Sequence, residues 1–319
     1  MNHRLRMGFL MDPLDRILPD KDTTFVFMLE AGKRGHEVLY FTPDTLFSIK
    51  NEPYGVLRQA RVKREAPARS GHFELGPPLE VRLRDLNVLF MRVDPPFTLD
   101  YLSQTYLLDL ITDDVFVTNS PSALRDANEK LFTLHFPELT PPTLVTHETA
   151  RIKAFQDEAG GTIVLKPLFG CGGEGVFVIS KDDRNASAIL TAATEGGKVR
   201  VIAQRYIPEA RQGDKRIIML DGVAIGAIAR IPRDDDHRAN LHVGGNPARH
   251  TLTERDRYII AKVGPELKKR GLHFVGLDVL GDWLTEINVT SPTGIQEISR
   301  LENTCLEAMV IDFVEKEAK

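Results

Sequence analysis

The segment between Gly271 and Gly294 constrains the fold of this chain more than any other part of the sequence. Two apolar runs, residues 274–280 and 283–289, flank a Gly-Asp pair, and such a turn between apolar runs is a strong signal of an antiparallel hairpin. Successive side chains of a strand point to opposite faces, so residues two apart share a face. The segment therefore predicts two short paired strands.

Three oxygen-bearing side chains lie on this hairpin. Asp278 is on the first strand, and Glu286 and Asn288 are two apart on the second, where they share a face. Carboxylates among apolar neighbours are costly to bury without a cation, and hard oxygen ligands suit magnesium, which completes its shell with substrate phosphates. One interpretation is a metal–nucleotide site. The other is a polar outer face, which the hairpin alone favours; the features upstream shift the balance to the metal site.

The composition of the 319-residue chain is that of a globular protein, with 42% hydrophobic and 27% charged residues. A net charge of -4 is not typical of a nucleic-acid-binding surface or a polybasic membrane patch. Cys171 and Cys305 provide neither a disulfide framework nor a CxxC metal site, which fits a reducing cytoplasm. No apolar run is long enough to span a membrane, and residues 7–11 are too short a run for a signal peptide. We therefore expect a cytoplasmic protein that binds neither nucleic acid nor membrane.

The first 120 or so residues have the order of a small α/β layer. Residues 5–11 and 37–41 predict buried strands on either side of a helix at residues 23–33, and this β-α-β order implies a parallel sheet. The polar stretch at residues 53–76 predicts an excursion of short strands. Further strands are predicted at residues 87–91 and 115–119, with a helix at residues 101–111.

A helix is predicted next, with Ser120 as its cap and Pro121 in its first turn, extending to about Phe136. The prolines at 137, 141 and 142 then form the clearest linker of the chain. Beyond it, strands are predicted at residues 143–146, 162–166, 175–179, 200–204, 216–220 and 223–229, and helices at residues 147–159, 184–195, 253–270 and 305–317.

A lysine and a glycine-rich loop follow one of these strands. Lys166 ends an apolar strand, and Gly170, Gly172 and Gly173 come directly after it. Closely spaced glycines let backbone N–H groups approach phosphate oxygens, and a nearby lysine neutralises phosphate charge. The alternative is a glycine hairpin turn beside a lysine whose ammonium reaches solvent.

Two arginines also lie at strand ends. Arg216 begins an apolar strand and Arg230 follows another, so together they could clamp a phosphate bidentately. Taken without the neighbouring motifs they are better explained as surface salt-bridge partners. A long polar connection, residues 233–250, comes next and includes Asp234, Asp235 and Asp236. Loops of this length are usually lids or disordered segments, and a lid would protect a hydrolysable intermediate from water.

The order of these features resembles that of the ATP-grasp carboxylate–amine ligases. It runs through Lys130, Lys166-Pro167, the GxGG loop, Asp214-Lys215-Arg216, Ala229-Arg230-Ile231-Pro232, Asp278 and Glu286-Ile287-Asn288. Two further blocks, Asp94-Pro95-Pro96-Phe97 and Asn288-Val289-Thr290-Ser291-Pro292-Thr293, narrow the resemblance to the prokaryotic glutathione synthetase family. The resemblance extends over nearly the whole chain.

The resemblance implies an α/β and α+β protein, in which an ATP-grasp fold follows an N-terminal parallel-sheet domain. The N-terminal substrate domain would cover residues 1–122 and the ATP-grasp domain residues 123–319. Within the latter, an ATP-binding lid subdomain would lie at about 143–207 and a catalytic subdomain at about 208–319, with ATP held between two sheets.

The resemblance also implies a role for each matching residue. ATP would be contacted by Lys130, Lys166, Gly170, Gly172, Gly173 and the adenine-binding segment Gln204, Arg205, Tyr206 and Ile207. Magnesium would be held by Asp278, Glu286 and Asn288, and the transferring phosphoryl group by Arg216 and Arg230. The candidates for substrate binding are Asp12, Arg92, Arg238, Asn240, Thr290, Ser291 and Thr293.

The implied reaction is the magnesium-dependent joining of γ-glutamylcysteine and glycine, with Mn²⁺ as an alternative metal, ATP as co-substrate and an acyl phosphate as intermediate. The implied assembly is a homo-oligomer, either a dimer or a tetramer. One rival is another ATP-grasp ligase with a different acid or amine, and the N-terminal blocks argue against it. A second rival is a non-catalytic ATP-binding protein, and the retained lysines, arginines and metal ligands argue against that.

Overall fold

The structure is a computed structural model, and it describes residues 4–64, 71–170, 172–232 and 245–318. Three sheets form the framework: a seven-stranded N-terminal sheet, a four-stranded sheet and a five-stranded sheet. We call the second the small sheet and the third the C-terminal sheet. No helix in the described part of the chain is long and apolar enough to cross a membrane.

The N-terminal sheet has strand order β3-β4-β2-β1-β6-β7, with β5 paired to β4. Its elements are β1 (Arg6–Met11), α1 (Thr23–Lys33), β2 (Glu37–Phe41), β3 (Leu46–Ile49), β4 (Glu52–Val62), β5 (Phe73–Arg82), β6 (Val88–Arg92), α2 (Leu99–Asp109), β7 (Phe116–Thr118) and α3 (Pro121–Asp126). The β1–β2, β1–β6 and β6–β7 pairs are parallel, which confirms the predicted parallel core.

The excursion predicted as short strands is instead two long ones. β4 and β5 pair with each other in antiparallel fashion, and β4 also pairs antiparallel with β2 and β3, so the complete sheet is mixed. Among the described strands, β5 pairs with β4 alone, so the prolines at 77 and 78 lie on an edge strand, where a missing backbone N–H is tolerated. β5 is largely exposed, whereas β4 is partly buried through residues such as Leu57 and Ala60, so the polar sequence of this stretch belongs to two strands at the side of the sheet rather than to a loop.

The small sheet has strand order β10-β9-β11-β8 and carries two helices. Its elements are β8 (Thr143–Thr146), α4 (Thr149–Glu158), β9 (Thr162–Pro167), β10 (Phe177–Ser180), α5 (Ala186–Ala193) and β11 (Val201–Arg205). All three strand pairs are antiparallel. This sheet has a hydrophobic core of its own, built from Ile152, Ile163, Leu165, Ile179, Leu190, Val201 and Ala203.

The C-terminal sheet has strand order β14-β13-β12-β15-β16. Its elements are β12 (Asp214–Leu220), β13 (Val223–Ile231), β14 (Asn246–Arg249), α6 (Glu254–Arg270), β15 (Phe274–Leu280), β16 (Trp283–Asn288), α7 (Ile295–Glu302) and α8 (Leu306–Glu317). Buried residues of this sheet and of the N-terminal sheet belong to the same two large apolar clusters. The predicted hairpin is confirmed, and its two strands are β15 and β16.

The helix predicted from Pro121 to about Phe136 is wrong in its extent. α3 ends at Asp126, and a separate short turn of 3₁₀ helix covers Leu131–His135. Asn128 causes the break, because its Oδ1 accepts the backbone N–H groups of Lys130 and Leu131 at 3.1 and 2.9 Å and begins a new turn. Ser120 stands at the cap position of α3, but its side chain makes no capping hydrogen bond.

Three of the described strands and helices were not predicted. β3 lies before the stretch in which the excursion of short strands was predicted. β14 lies within the polar connection that was predicted to lack regular structure, where it pairs antiparallel with β13. α7 begins after Gly294, directly behind the Ser-Pro-Thr-Gly sequence that is typical of a turn. Residues 233–244 of the predicted lid, which include Asp234, Asp235 and Asp236, lie outside the described residues, as does Cys171.

Candidate active site

The C-terminal sheet aligns charged side chains in one row across three strands. Asp278 on β15 pairs with Arg216 on β12 and with Glu286 on β16. Asn288 pairs with Gly276, and its Nδ2 donates to the Gly276 carbonyl at 3.2 Å. The hairpin pattern therefore predicted correctly that these polar groups would be neighbours on adjacent strands.

Gly276 is needed for this row. A Cβ at this position would lie 3.0 Å from Cδ of Arg216 and 3.0 Å from Cβ of Pro292. Both contacts are tighter than ordinary van der Waals separation, so a side chain at position 276 would displace the arginine. The glycine lets the Arg216 side chain lie flat across the sheet toward Asp278.

Both arginines are buried and paired with aspartates. Arg216 donates to the two oxygens of Asp278 at 2.5 and 2.9 Å, and Arg230 contacts Asp278 at 2.8 Å. Arg230 also donates to both oxygens of Asp214, at 2.6 and 2.5 Å. With Arg216 7% and Arg230 3% exposed, the alternative that these are surface salt-bridge partners is wrong.

This network controls the ionisation of Asp278. Burial alone would raise the pKa of the Asp278 carboxyl, but the charges and hydrogen bonds of Arg216 and Arg230 outweigh burial and hold that pKa well below its usual range. The same pairing raises the pKa of Arg230 against the opposing effect of its own burial. The pairing therefore favours the charged forms of Asp278 and Arg230, although both side chains are buried.

The two lysines lie where the small sheet meets this row. Lys166 Nζ donates to Oε1 of Gln204 at 3.1 Å, and Lys130 Nζ lies 4.0 Å from Oε1 of Glu286. Burial lowers the pKa of Lys166; the positive charge of Lys130 adds to this, and the carboxylates of Glu286, Asp278 and Asp214 oppose it. The structure thus brings both lysines close to the carboxylates of this row. We call Asp278, Glu286 and the neighbouring Asn288 the acidic row.

The glycine loop connects the antiparallel strands β9 and β10, so it is a hairpin connection as the alternative interpretation held. Gly172 and Gly173 have φ angles of 65° and 79°, in the region that favours glycine. Lys130 Nζ donates to the Gly170 carbonyl at 2.6 Å, which fixes the loop beside the lysine. The hairpin geometry and a phosphate-binding role are therefore compatible.

The segment predicted to bind adenine crosses from the small sheet toward the C-terminal sheet. Gln204 Nε2 donates to Oγ1 of Thr143 at 2.9 Å, and the Arg205 guanidinium lies 5.3 Å from the centre of the Trp283 ring. The Tyr206 N–H donates to the Thr162 carbonyl at 3.2 Å, and Ile207 is 5% exposed. Adenine binding by this segment stays a prediction.

Arg92 and Asp12 lie at the carboxyl edge of the N-terminal sheet, as expected. Arg92 is 5% exposed, with Nε bonded to Thr24 Oγ1 at 3.1 Å and Nη2 to the Pro292 carbonyl at 2.9 Å. Burial lowers the pKa of Arg92 to about 10. Asp12 Oδ2 accepts the Asp94 N–H at 2.8 Å. Arg92 therefore joins the N-terminal sheet to the loop behind β16, and dipeptide binding by either residue stays a prediction.

The loop behind β16 contains the three predicted substrate residues Thr290, Ser291 and Thr293. Thr293 accepts a hydrogen bond from Arg216 Nη1 through its carbonyl, at 3.1 Å. Thr290 is bonded to Glu129, a residue that the sequence interpretation did not select. The available signal was the position of Glu129 directly before Lys130, the lysine that the resemblance assigns to ATP. Two other substrate candidates, Arg238 and Asn240, lie outside the described residues.

An open cleft of about 460 Å³ lies between the N-terminal sheet, the break after α3 and the glycine loop. Its walls include Phe97, Arg125, Glu129, Lys130, Phe169, Gly170 and Thr290. The cleft therefore joins the lysine and the glycine loop to the loop behind β16. Clefts at the junction of structural units are common positions for small-molecule sites.

Two family models match the chain. The model for the prokaryotic glutathione synthetase N-terminal domain covers residues 5–125, and the model for the ATP-grasp domain of the same enzymes covers residues 129–303. This chain belongs to the prokaryotic glutathione synthetase family. It is an ATP-dependent ligase, and the predicted fold class is confirmed.

Curated relatives match over nearly the full length. The glutathione synthetases of Brucella melitensis and Shewanella oneidensis are each 43% identical to this chain, covering 98% of it and 98% of their own length. That of Coxiella burnetii is 44% identical and covers 98% of this chain and 96% of the relative.

Solved structures share the fold at low identity. A D-cycloserine synthetase aligns with a TM-score of 0.61 at 15% identity, over 90% of this chain and 92% of that one. An ATP-grasp ligase complexed with a minimal precursor, Mg and ADP also aligns with a TM-score of 0.61 at 15% identity, over 97% of this chain and 96% of that one. These likenesses support the ATP-grasp fold alone.

Proposed function

We propose that this chain joins γ-glutamylcysteine to glycine and cleaves ATP to ADP and phosphate, producing glutathione. The observation that carries the proposal is the identity of about 43% with glutathione synthetases over 98% of the chain. This match includes the N-terminal domain, for which the family has a model of its own that covers residues 5–125. The gathering of two lysines, two arginines and the acidic row supports a nucleotide-dependent reaction.

The chemistry requires activation of a carboxylate, because oxide is too poor a leaving group for an amine to displace. The cysteinyl carboxylate oxygen attacks the γ-phosphorus, the bond to the β-phosphate oxygen breaks, and ADP leaves. Glycine's nitrogen then attacks the acyl carbon, and the C–O bond to phosphate breaks with loss of the amine proton. The protein mainly positions the reactants and neutralises charge, as in other phosphoryl transfers.

The cationic groups of the site divide this task. Lys130 and Lys166 lie beside the glycine loop and would hold the phosphates of ATP. Arg216 and Arg230 would face the transferring phosphoryl group and the oxygens of the acyl phosphate. Their aspartate partners hold both guanidinium groups in place before substrate arrives, which is the preorganisation that electrostatic catalysis requires.

The residues of the acidic row fit a hard divalent cation. Glu286 has a side chain 27% exposed, and the Nδ2 bond of Asn288 to Gly276 leaves its Oδ1 as the ligand atom. Within the described ranges, no group of three His, Cys, Asp or Glu side chains could hold a metal ion. The proposed set therefore consists of two carboxylates, Asp278 and Glu286, and the amide oxygen of Asn288. We propose Mg²⁺, with Mn²⁺ as the alternative; when bound it would offset phosphate charge.

The substrate loops complete the proposal. Thr290, Ser291 and Thr293 would offer hydroxyl and backbone donors to glycine's carboxylate. Asp12 and Arg92 are the proposed dipeptide contacts of the N-terminal domain. We further propose that the protein acts in the cytoplasm as a homo-oligomer, a dimer or a tetramer.

The test is phosphate release from ATP with γ-glutamylcysteine, with and without glycine, alongside a panel of other acids and amines. We expect release that depends on both substrates. No turnover with this pair, together with turnover of another acid or amine, would assign the chain a different ligase reaction. Tight ATP binding without ADP production would make it a non-catalytic ATP-binding protein.

The metal set is tested by Glu286→Gln combined with Asn288→Ala. We expect the double variant to lose most of its activity and to need a much higher Mg²⁺ concentration. An unchanged rate and an unchanged metal dependence would remove these residues from the metal site. Titration of metal binding by calorimetry provides a readout that does not depend on turnover.

A further inference from the structure

The segment from Asn128 to Lys130 connects three parts of the site. The Glu129 carbonyl accepts the Ile287 N–H of β16 at 2.8 Å. Its neighbours reach the other way: Asn128 Nδ2 donates to the Leu168 carbonyl at 3.1 Å, and Lys130 Nζ donates to that of Gly170. The segment therefore links the beginning of the glycine loop to the metal-binding strand.

The Glu129 side chain extends this link to the loop behind β16. Its Oε1 accepts three hydrogen bonds, from the N–H groups of Val289 and Thr290 at 2.9 and 3.1 Å and from Oγ1 of Thr290 at 2.9 Å. A carboxylate oxygen with three donors is held firmly, since hydrogen bonds to a charged acceptor are about twice as strong as neutral ones. Glu129 and Thr290 also both line the cleft.

This anchoring is more than ordinary core packing. Burial raises the pKa of Glu129, against the effect of the bonds from Thr290 and Val289, so keeping a carboxylate here costs stability. A hydrophobic side chain could fill the same space but would leave two backbone N–H groups and a hydroxyl without an acceptor. The carboxylate therefore serves to define the path of residues 289–290.

We propose that Glu129 is a positioning residue that sets the amine-substrate loop relative to the phosphate-binding loop. This inference rests on the proposed function, because it assigns residues 290–293 to glycine. Glu129 acts through Thr290 and Val289 and does not itself touch the reacting atoms. The adjacent residue Asn128 positions the glycine loop through its hydrogen bond to the Leu168 carbonyl.

The two neighbours therefore predict opposite kinetic effects. Glu129→Ala should raise the KM for glycine by at least about tenfold, with a much smaller change in the KM for ATP, because three donors lose their acceptor. Asn128→Asp keeps the Oδ1 acceptor of Lys130 and Leu131 but removes the donor to Leu168, so it should raise the KM for ATP more than that for glycine.

Conservative variants separate positioning from stability. Glu129→Gln keeps an oxygen acceptor at the same reach and should restore the glycine KM to within about threefold of wild type, because neutral bonds keep much of the geometry. Glu129→Asp keeps the charge but is one methylene too short, so it should resemble the alanine variant. Glu30→Gln is the control for loss of a carboxylate far from the site, where Glu30 pairs with Arg34 at 2.9 Å; it should leave both KM values unchanged.

Amide hydrogen exchange gives a readout without turnover. Exchange at Val289 and Thr290 should accelerate in Glu129→Ala and stay slow in Glu129→Gln, while exchange at Ile217 in β12 should not change. Equal changes in both KM values, or glycine KM unchanged with accelerated exchange, would overturn the positioning role. Wild-type protein in the same assay distinguishes the two proposals. An inactive wild type would contradict the proposed reaction. An active wild type whose glycine KM does not change in Glu129→Ala would contradict only the positioning role.

Discussion

The small sheet and the C-terminal sheet meet at the same site but hold their charges in different ways. On the C-terminal sheet, Arg230 contacts both Asp214 and Asp278, Arg216 pairs with Asp278, and both guanidinium groups are nearly inaccessible to water. On the small sheet, Lys166 has a neutral partner, the amide oxygen of Gln204, and burial lowers its pKa. One sheet has its charges paired within the protein, whereas the other has a buried cation whose counter-charge, in the proposed function, comes from the phosphates of ATP.

The hydrophobic cores follow the same division. The C-terminal sheet packs within the two large clusters that it shares with the N-terminal sheet, whereas the small sheet has a separate core. A charge network on a shared core resists displacement, and a separate core permits a subdomain to move as a unit. Substitutions within the charge network of the C-terminal sheet should therefore lower stability as well as activity, whereas a substitution of Lys166 on the small sheet should weaken binding at little cost in stability.

The largest expected effect is that of Asp278→Asn. The substitution removes the charge that two buried guanidinium groups share, and breaking a buried pair costs about 3–5 kcal/mol. We expect a loss of that order in the free energy of unfolding, measured with denaturant. The matched control is Asp221→Asn, which loses more exposed partners, Lys268 and His273, and should cost about 0–1 kcal/mol. Equal losses in the two variants would contradict the special status of the network.

Lys166→Met should have the opposite effect, with a large loss of activity and little change in stability. The side chain keeps its apolar stem but loses the proposed phosphate contact, so kcat/KM for ATP should fall by at least about a hundredfold. Because the buried ammonium is already disfavoured, the melting temperature should stay the same or rise. A large drop in melting temperature would show that this lysine is structural, like the arginines of the other sheet.

The pH dependence of stability offers a third test. Asp256, at the first turn of α6, accepts bonds from Lys215 of β12 and from His250, and its pKa is lowered to about 2 from 3.8. A lowered pKa stabilises the fold above pH 4, and this stabilisation is lost as the pH falls toward 2, by about 2 kcal/mol in all. Asp256→Asn should flatten the stability curve in that range. A curve as steep as that of wild type would show that other carboxylates cause the acid sensitivity.

The smallest expected effect concerns the contact between the sheets. Arg205 of β11 lies over the ring of Trp283 of β16, and a cation–π contact at such a site contributes about 0.5–1 kcal/mol. Arg205→Gln should lower the melting temperature slightly while increasing amide exchange in β8 to β11 relative to the C-terminal sheet. Uniform exchange across both sheets would indicate that this contact does not couple them.

The sequence was informative wherever a signal is local. Residues 274–289 alternate along two strands with a Gly-Asp turn between them, and the resulting register makes Asp278 and Glu286 neighbours. The break after α3 shows the limit of such signals. The helical sequence pattern continues beyond Asp126, but the helix ends because the Asn128 side chain accepts two backbone N–H groups. α7 was missed for a related reason, since the prolines and glycines before it signal a turn but do not indicate that a helix begins beyond it.

Sequence alone was enough to establish the family and the hairpin with its acidic row. It also identified two lysines, two arginines and a glycine loop. Each of these features is a short motif, so neighbouring residues are sufficient to recognise it. The burial of the arginines with Asp278 and Asp214, and the hold of Glu129 on the loop at Thr290, came from the tertiary structure. The partners of such contacts are far apart along the chain, as with Glu129 and Thr290. Whether such residues come into contact depends on how the sheets pack, and that packing cannot be predicted from the spacing of residues along the chain.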